Sequence, residues 1–150
     1  MGLVKKQLNK KGFTLIEVVL VLAIGGLIFL LAFIAFRQAS INRRDTQRRS
    51  DAGRFVAEAS NYAGDNNGTP PNSSYYALNF VPQYLAPFND PRNTPYQSKD
   101  ALSKLTTASD YFYSTGYKCS GNTAVTSTSA NDYAIVMKLE KGQVCRDSST

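Results

Sequence analysis

Apolar side chains dominate one continuous stretch near the start of the chain, residues 13–36. After Glu17, residues 18–36 (VVLVLAIGGLIFLLAFIAF) carry no charge and no side-chain hydrogen-bonding group. At about 1.5 Å per helical residue, residues 13–36 span about 36 Å, enough to cross a hydrocarbon core of about 30 Å. Because only helices and closed barrels satisfy their backbone in lipid, the pattern predicts a transmembrane helix. A cleavable secretory signal peptide is the alternative, but the apolar run is longer than an h-region of about 7–15 residues.

The pattern after Phe36 becomes amphipathic instead of ending. Apolar residues recur with helical spacing at Ala52, Phe55, Val56, Ala59 and Ala63. Gly64 and the following DNNGTPP form a strong helix stop. We therefore predict one helix over about residues 13–63, with a transmembrane half (13–36) and a soluble half (37–63).

Residues 64–150 have the composition of a small globular head. All six prolines lie between Pro70 and Pro95, which predicts a variable loop over residues 64–100. Residues 101–108 suggest one or two helical turns. Aromatic and branched residues predict strands at 110–118, 133–140 and 143–146, with a turn at 141–142 and a Ser/Thr-rich loop at 120–131. The predicted fold is α+β, in which the soluble helix half packs on a small antiparallel sheet at about 110–146.

Charge is distributed unevenly along the chain. The net charge is +6, and residues 1–12 hold four lysines and no acid. Residues 37–54 hold six arginines and two aspartates, whereas residues 55–150 hold seven basic and eight acidic side chains. The arginine-rich stretch could bind phosphates of DNA or lipid headgroups. It lacks the interleaved aromatics of single-strand binders, and a solvated helix face is the simpler interpretation.

Topology follows from the lysines and the cysteines together. The lysines favour a cytoplasmic N-terminus, although the arginines after Phe36 argue for the opposite orientation. Cys119 and Cys145 are the only cysteines, and an even pair in a small exported domain predicts a disulfide. Two reduced, buried thiols are the alternative. We place the head outside the cytoplasm, with the bridge joining the last strand to the first strand of the sheet.

Residue types needed for most catalytic chemistry are missing from the sequence. The chain has no histidine, and no cluster has metal-ligand spacing. No glycine-rich phosphate loop, G-x-S-x-G or H-E-x-x-H motif occurs. We therefore expect neither enzymatic activity nor a cofactor. Two N-x-[ST] triplets, at Asn67 and Asn72, match a short glycosylation pattern that ordinary turn residues also produce.

Glu17 is the one charged side chain inside the apolar stretch. A charge at membrane depth costs about 2.5–3.5 kcal/mol on insertion scales and is usually functional or paired. The sequence therefore raises the question of which group pairs with this carboxylate.

The order of these features closely resembles the type IV pilin and pseudopilin family. The motif that carries the resemblance is Lys10-Lys11-Gly12-Phe13-Thr14-Leu15-Ile16-Glu17. The resemblance covers about the first 50 residues and is looser in the head. It implies that a prepilin peptidase removes leader residues 1–12 by cleavage after Gly12 and that Phe13 becomes N-methylated. It also implies assembly into a helical homo-oligomeric filament by an ATPase and a membrane platform protein.

The same resemblance suggests a partner for Glu17. Cleavage creates an α-amino cation at Phe13, four residues before Glu17, so the pair can form within one helix. In a filament Glu17 can instead meet the Phe13 amine of a neighbour and set the axial register of the incoming subunit. A hydrated carboxylate at headgroup level is the alternative.

One departure from the family pattern concerns the middle of the apolar helix. The family commonly has proline where this chain has Ile34, and Gly25-Gly26 occurs instead. Each glycine weakens a helix by about 1 kcal/mol relative to alanine. Gly25 and Gly26 are therefore a predicted weak point, with close helix packing as an equal alternative.

Three functional hypotheses follow. The first is a structural subunit of a type IV pilus that serves adhesion, twitching motility or DNA uptake. It would be a single-pass membrane protein before assembly and extracellular afterwards. The second is a pseudopilin of a type II secretion or competence machine, because residues 90–96 (DPRNTPY) resemble a D-P-x-x-x-P-Y loop of major pseudopilins. Against it, those heads often use a calcium loop where this chain has two cysteines. The third is a monomeric membrane-anchored binding protein.

Overall fold

A computed structural model describes residues 12–72 and 76–149. Two compact units divide the chain, Met1–Ala39 and Ser40–Thr150. Helix α1 is Leu15–Asp65, α2 is a wide π-type helix at Tyr76–Leu85, and a single 3-10 turn covers Leu102–Lys104. The strands are β1 (Gln97–Lys99), β2 (Asp110–Thr115), β3 (Tyr117–Ser120), β4 (Thr123–Thr126), β5 (Tyr133–Lys138) and β6 (Gln143–Asp147).

Helix α1 confirms the predicted long helix to within two residues at each end. Its C-terminal end is set by two residues in the left-handed region, Asn67 (φ 56°) and Gly68 (φ 78°). The Gly68 N–H donates to the Ala63 carbonyl at 2.7 Å. This is the bond of a Schellman cap, which satisfies a carbonyl that the last helical turn leaves unpaired.

The main sheet has four strands in the order β1-β2-β5-β6. Strand β1 runs parallel to β2, while β2, β5 and β6 are antiparallel. The predicted strands at 133–140 and 143–146 are thus confirmed as β5 and β6. The predicted turn between them is also present, with Gly142 at φ 86°. Its carbonyl accepts the Leu139 N–H at 3.0 Å.

Two predictions in the head were wrong in detail. The single strand predicted at 110–118 divides at Gly116 (φ 72°) into β2 and β3, since this backbone conformation breaks the ladder. The predicted loop at 120–131 contains β4, which pairs with β3 in a second, two-stranded sheet. A two-residue turn with Gly121 at φ 62° joins these strands, and such a glycine turn is a hairpin signal.

The proline-rich stretch is also more ordered than the predicted loop over residues 64–100. Pro82 lies inside α2, although proline normally interrupts a helix. Tertiary packing explains why the helix forms: Phe80 and Leu85 are buried in the core, where Phe80 packs edge-on to Phe55 of α1 at 5.5 Å between ring centroids.

The soluble half of α1 packs on one face of the four-stranded sheet. Ala52, Phe55 and Ala59 are fully buried, which confirms the predicted amphipathic face. The ring of Phe55 lies 4.9 Å from that of Tyr113 on β2. Burying a phenylalanine side chain contributes about 1.5–3 kcal/mol, so Phe55 anchors the helix to the sheet.

The opposite face of the sheet is covered by the β3–β4 hairpin. Phe112, Val136 and Cys145 are buried there with Ala124 of the hairpin. The predicted Cys119–Cys145 disulfide is present, with a Cα–Cα distance of 5.7 Å. It joins β6 to the hairpin strand β3, not to the first strand of the main sheet as predicted. By the chain-entropy model a bridge across such a loop contributes about 3.5 kcal/mol. The head is therefore a three-layer structure of helix, sheet and hairpin.

Candidate functional site

The first turn of α1 is built on a capping motif that our sequence reasoning missed. Thr14 precedes the helix, and its hydroxyl accepts the backbone N–H of Glu17 at 3.4 Å. A threonine followed three residues later by glutamate is the capping-box pattern. The sequence of residues 14–17 (TLIE) therefore already indicates a helix start here. Glu17 also places a negative charge in the first turn, where it complements the helix dipole.

The structure brings Phe13 and Glu17 to the same side of the helix start. Together with Val18, Val21 and Leu22 they line a shallow groove of about 260 Å³. The Phe13 side chain is 82% exposed. Within the described residues, the Glu17 carboxylate has no hydrogen bond or ion pair of its own. The groove is thus an apolar surface that carries a single free carboxylate.

The rest of the apolar stretch is equally uncovered. Its large side chains from Val18 to Phe36 remain about half exposed or more, and none of this apolar stretch is buried. By length and composition the helix can cross a membrane. Continuous exposed apolar surface of this size marks a membrane or protein interaction site.

Gly25 and Gly26 lie within the continuous helix. A Cβ added to either glycine would meet nothing within 4 Å. Packing within the subunit therefore does not require these glycines, and their role as a weak point stays a prediction.

The sequence around this groove matches one known family. Residues 7–33 match the family described as the prokaryotic N-terminal methylation motif. The chain carries a class III signal peptide of the type IV pilin and pseudopilin kind. No curated protein and no solved structure matches the chain significantly. The matched segment includes Gly12, Phe13, Glu17 and both helix glycines, and it ends before the head begins.

A second polar site lies inside the head, around Arg48 of α1. This guanidinium is fully buried. It donates to Asp90 Oδ2 through Nε at 2.9 Å and Nη2 at 2.6 Å, and to Asp45 Oδ1 through Nη1 at 2.8 Å. A longer contact of 3.3 Å reaches Glu140, which follows β5. Arg48 therefore ties the helix to two distant loops.

Two further arginines surround the same carboxylate of Glu140. Arg44 donates to it through Nε at 2.6 Å and Nη2 at 3.1 Å, and Arg92 donates at 2.9 Å. Asp45 in turn accepts the backbone N–H groups of Glu140 and Lys141 at 2.9 and 3.1 Å. We call Arg44, Asp45, Arg48, Asp90, Arg92 and Glu140 the ion network.

The ion network corrects part of the prediction for the arginine-rich stretch. The sequence predicts a solvated face or a phosphate-binding surface, and four of the six arginines are exposed. Arg44 and Arg48, however, bind the head's own carboxylates, and Arg54 donates to the Leu85 carbonyl. The carboxylates that bind Arg48 include Asp90 and Glu140, which are 42 and 92 residues away in the sequence. No local sequence pattern connects residues so far apart, so the pairing could not be predicted.

The loop of residues 90–96 is fastened to α1 at both ends. Asp90 binds Arg48, and the Tyr96 hydroxyl donates to Asp51 Oδ2 at 2.8 Å. The Asp90 N–H donates to the Thr94 carbonyl at 2.7 Å, and Asn93 adopts a left-handed backbone at φ 62°. Among the described residues, no group of acidic, histidine or cysteine side chains is arranged to hold a metal ion.

Acid should weaken the head through Glu140. The hydrogen bond from Arg44, followed by those from Arg92 and Arg48, lowers the pKa of Glu140 to about 2, against 4.5 for the ordinary side chain. Because the folded pKa is depressed, this stabilisation is complete above the unfolded pKa and is lost as the pH falls from about 4.5 towards 2. Urea unfolding of a fragment starting at Ser40 should show a falling free energy over that range.

Glu140→Gln should make this fall shallower, because the residue that titrates is removed. Asp65→Asn is the matched control, since Asp65 is exposed and has no partner in the described part of the chain. A Glu140→Gln variant with the same pH slope as the parent fragment would contradict the assignment.

Proposed function

We propose that this protein is a structural subunit of a type IV pilus filament. The observation that carries the proposal is the apolar groove in which Phe13 and Glu17 lie together on an otherwise uncovered helix. The class III signal peptide supports it, because the motif belongs to type IV pilin-like proteins and pseudopilins. The role is structural, and no catalytic residue is proposed.

The proposed assembly begins with removal of residues 1–12. Cleavage after Gly12 converts the backbone nitrogen of Phe13 into an amino cation, which N-methylation leaves charged. The Glu17 carboxylate is free in the subunit and can accept a cation from a neighbour. A buried charge is costly alone and tolerable when paired. The pair would form only when the incoming helix stops at one axial position.

The partners follow from this proposal. The subunit would be held in the cytoplasmic membrane by residues 13–36, with a cytoplasmic N-terminus, until a prepilin peptidase processes it. An assembly ATPase and a platform protein would then transfer it into an extracellular homo-oligomeric filament. Adhesion, twitching motility and DNA uptake are the filament functions we propose. A direct DNA contact has less support, since Arg44, Arg48 and Arg54 are engaged within the head.

A pseudopilin of a type II secretion or competence machine is the second candidate. The observation that favours it is the loop of residues 90–96, whose aspartate and tyrosine both bind α1. Genes next to this one separate the two candidates: an outer secretion channel indicates a pseudopilin, whereas a retraction ATPase indicates a pilus. Electron microscopy of sheared surface filaments is the direct test.

Processing at Gly12 gives the first prediction of the proposal. Mass spectrometry of filament protein should find an N-terminal peptide that starts at Phe13 and carries a methyl group. Gly12→Asp should block cleavage, because a side chain and a charge would then occupy the peptidase site. In the uncleaved chain a Cβ at Gly12 meets nothing within 4 Å, so the substitution should leave the fold intact.

The matched control is Gly26→Ala, which also adds a Cβ in open space but leaves the cleavage site unchanged. It should be processed like the parent chain. Assembled protein that retains any of residues 1–12 would refute the processing step.

A further inference from the structure

The turn that ends α1 carries an Asn-x-Thr triplet that filament assembly does not use. Asn67, Gly68 and Thr69 are all exposed, and Gly68 in the middle position is compatible with the pattern, which excludes only proline there. Asn-x-Ser/Thr on the surface of an exported protein is the acceptor pattern for N-linked glycans.

The side chains of the triplet that would take part in the reaction are exposed. Within the described residues, the Asn67 amide and the Thr69 hydroxyl have no hydrogen-bond partner. The neighbouring Asn66 differs, since its side-chain amide donates to the Tyr62 carbonyl at 2.8 Å. Asn67 is therefore the asparagine of this turn whose side-chain nitrogen is free to react.

The backbone of the turn also opposes a competing reaction. An Asn-Gly pair deamidates when the backbone nitrogen of the glycine attacks the asparagine side chain. Here the Gly68 N–H is held by the Ala63 carbonyl at 2.7 Å. The turn thus keeps the Asn67 amide exposed while restraining the nitrogen that would destroy it.

An acidic residue two positions before the acceptor adds a recognition element. Asp65 is the last residue of α1, is exposed and has no ion pair in the described part of the chain. An exposed carboxylate two residues before the acceptor can be bound by an arginine of a modifying enzyme.

The second triplet, at Asn72, lacks these properties. Asn72 already interacts with another residue. It follows Pro71, which is buried and whose carbonyl accepts the Tyr113 hydroxyl at 2.7 Å. Ser73 and Ser74 lie outside the described residues.

From these observations we propose that Asn67 is an N-glycosylation site. The co-substrate would be an oligosaccharide linked to a polyisoprenyl diphosphate. Asn67 Nδ2 would form a bond to the anomeric carbon of the first sugar, the bond from that carbon to the diphosphate oxygen would break, and the amide would release one proton. This inference rests on the proposed function to the extent that the head must reach the outer face of the membrane.

The test is tandem mass spectrometry of the protein, processed or not, isolated from the cells that naturally produce it. A glycan should be found on the peptide containing Asn67 and should be lost in both Asn67→Gln and Thr69→Ala. Thr69→Ser should retain it, because the hydroxyl is kept. Asn72→Gln is the matched control and should leave the glycan in place.

The N-terminus measured in the same experiment separates this inference from the proposed function. An unmodified or merely deamidated Asn67 in chains that begin at Phe13 overturns the glycosylation site and leaves the pilin proposal standing. An unmodified Asn67 in chains that retain residues 1–12 overturns both. A glycan on Asn67 in uncleaved chains supports the site and overturns the pilin proposal.

Discussion

Glu17→Ala should abolish filaments while leaving the subunit in the membrane. The substitution makes the helix more apolar, so insertion should be unchanged, and the bond after Gly12 is untouched, so cleavage should continue. Assembly should fail, because the Phe13 amine of the neighbour would be buried alone. Breaking a buried ion pair on one side costs about 3–5 kcal/mol. Electron microscopy and immunoblots should show processed subunits accumulating without filaments.

The position of Glu17 in the first helical turn requires a control that separates the effect of its charge from an effect on helix initiation. Glutamine is also favoured at this capping-box position, so Glu17→Gln keeps the cap and removes the charge. If charge pairing sets the register, Glu17→Gln should fail almost as completely as Glu17→Ala, and Glu17→Asp should be partly defective. Thr14→Ala removes the capping hydroxyl at a cost of about 1 kcal/mol and should still assemble. Normal filaments from Glu17→Gln would show that the charge of Glu17 is not needed for assembly.

Arg48→Met should destabilise the head strongly. The substitution leaves Asp45 and Asp90 buried without the guanidinium that neutralises them. The expected loss is about 3–5 kcal/mol in the free energy of unfolding. Urea unfolding of a fragment starting at Ser40, the first residue of the compact head unit, measures it.

Arg43→Met is the control on the same helix, because Arg43 is exposed and has no partner among the described residues. It should change stability by no more than about 0.5 kcal/mol. Adding Asp90→Asn to Arg48→Met should recover part of the loss, since one unpaired buried charge is removed. Equal effects of Arg48→Met and Arg43→Met would mean that the ion network contributes nothing to stability.

What could be predicted from the sequence depended on how local the signal was. The spacing of Ala52, Phe55 and Ala59 identified the buried helix face because helical periodicity is a local property. The cysteine pairing was predictable because only two cysteines exist. Which strand the disulfide joins to β6 could not be predicted, since this depends on Gly116 dividing the predicted strand into two.

The ion network could not be predicted either, because it depends on residues that are distant in the sequence. Charged residues are rarely fully buried, so an arginine-rich helix face is expected to be solvated. Burial of Arg48 becomes acceptable only when Asp90 and Asp45 converge on it in the folded head. At the helix start, by contrast, the Thr14 cap is a local signal, because the threonine and Glu17 are three residues apart.

The two edges of the main sheet also bear on solubility. An exposed sheet edge is a template for uncontrolled strand addition between molecules. Strand β1 limits this on one side, because it has only three residues, all polar, and ends in Lys99. On the opposite face of the sheet, the disulfide and the Asp147 carboxylate, which accepts the Cys119 N–H at 2.7 Å, fix strand β3 of the hairpin to β6. At the β1 edge, heads crowded side by side at high local concentration would therefore offer each other little open backbone, and contacts there would depend on side chains.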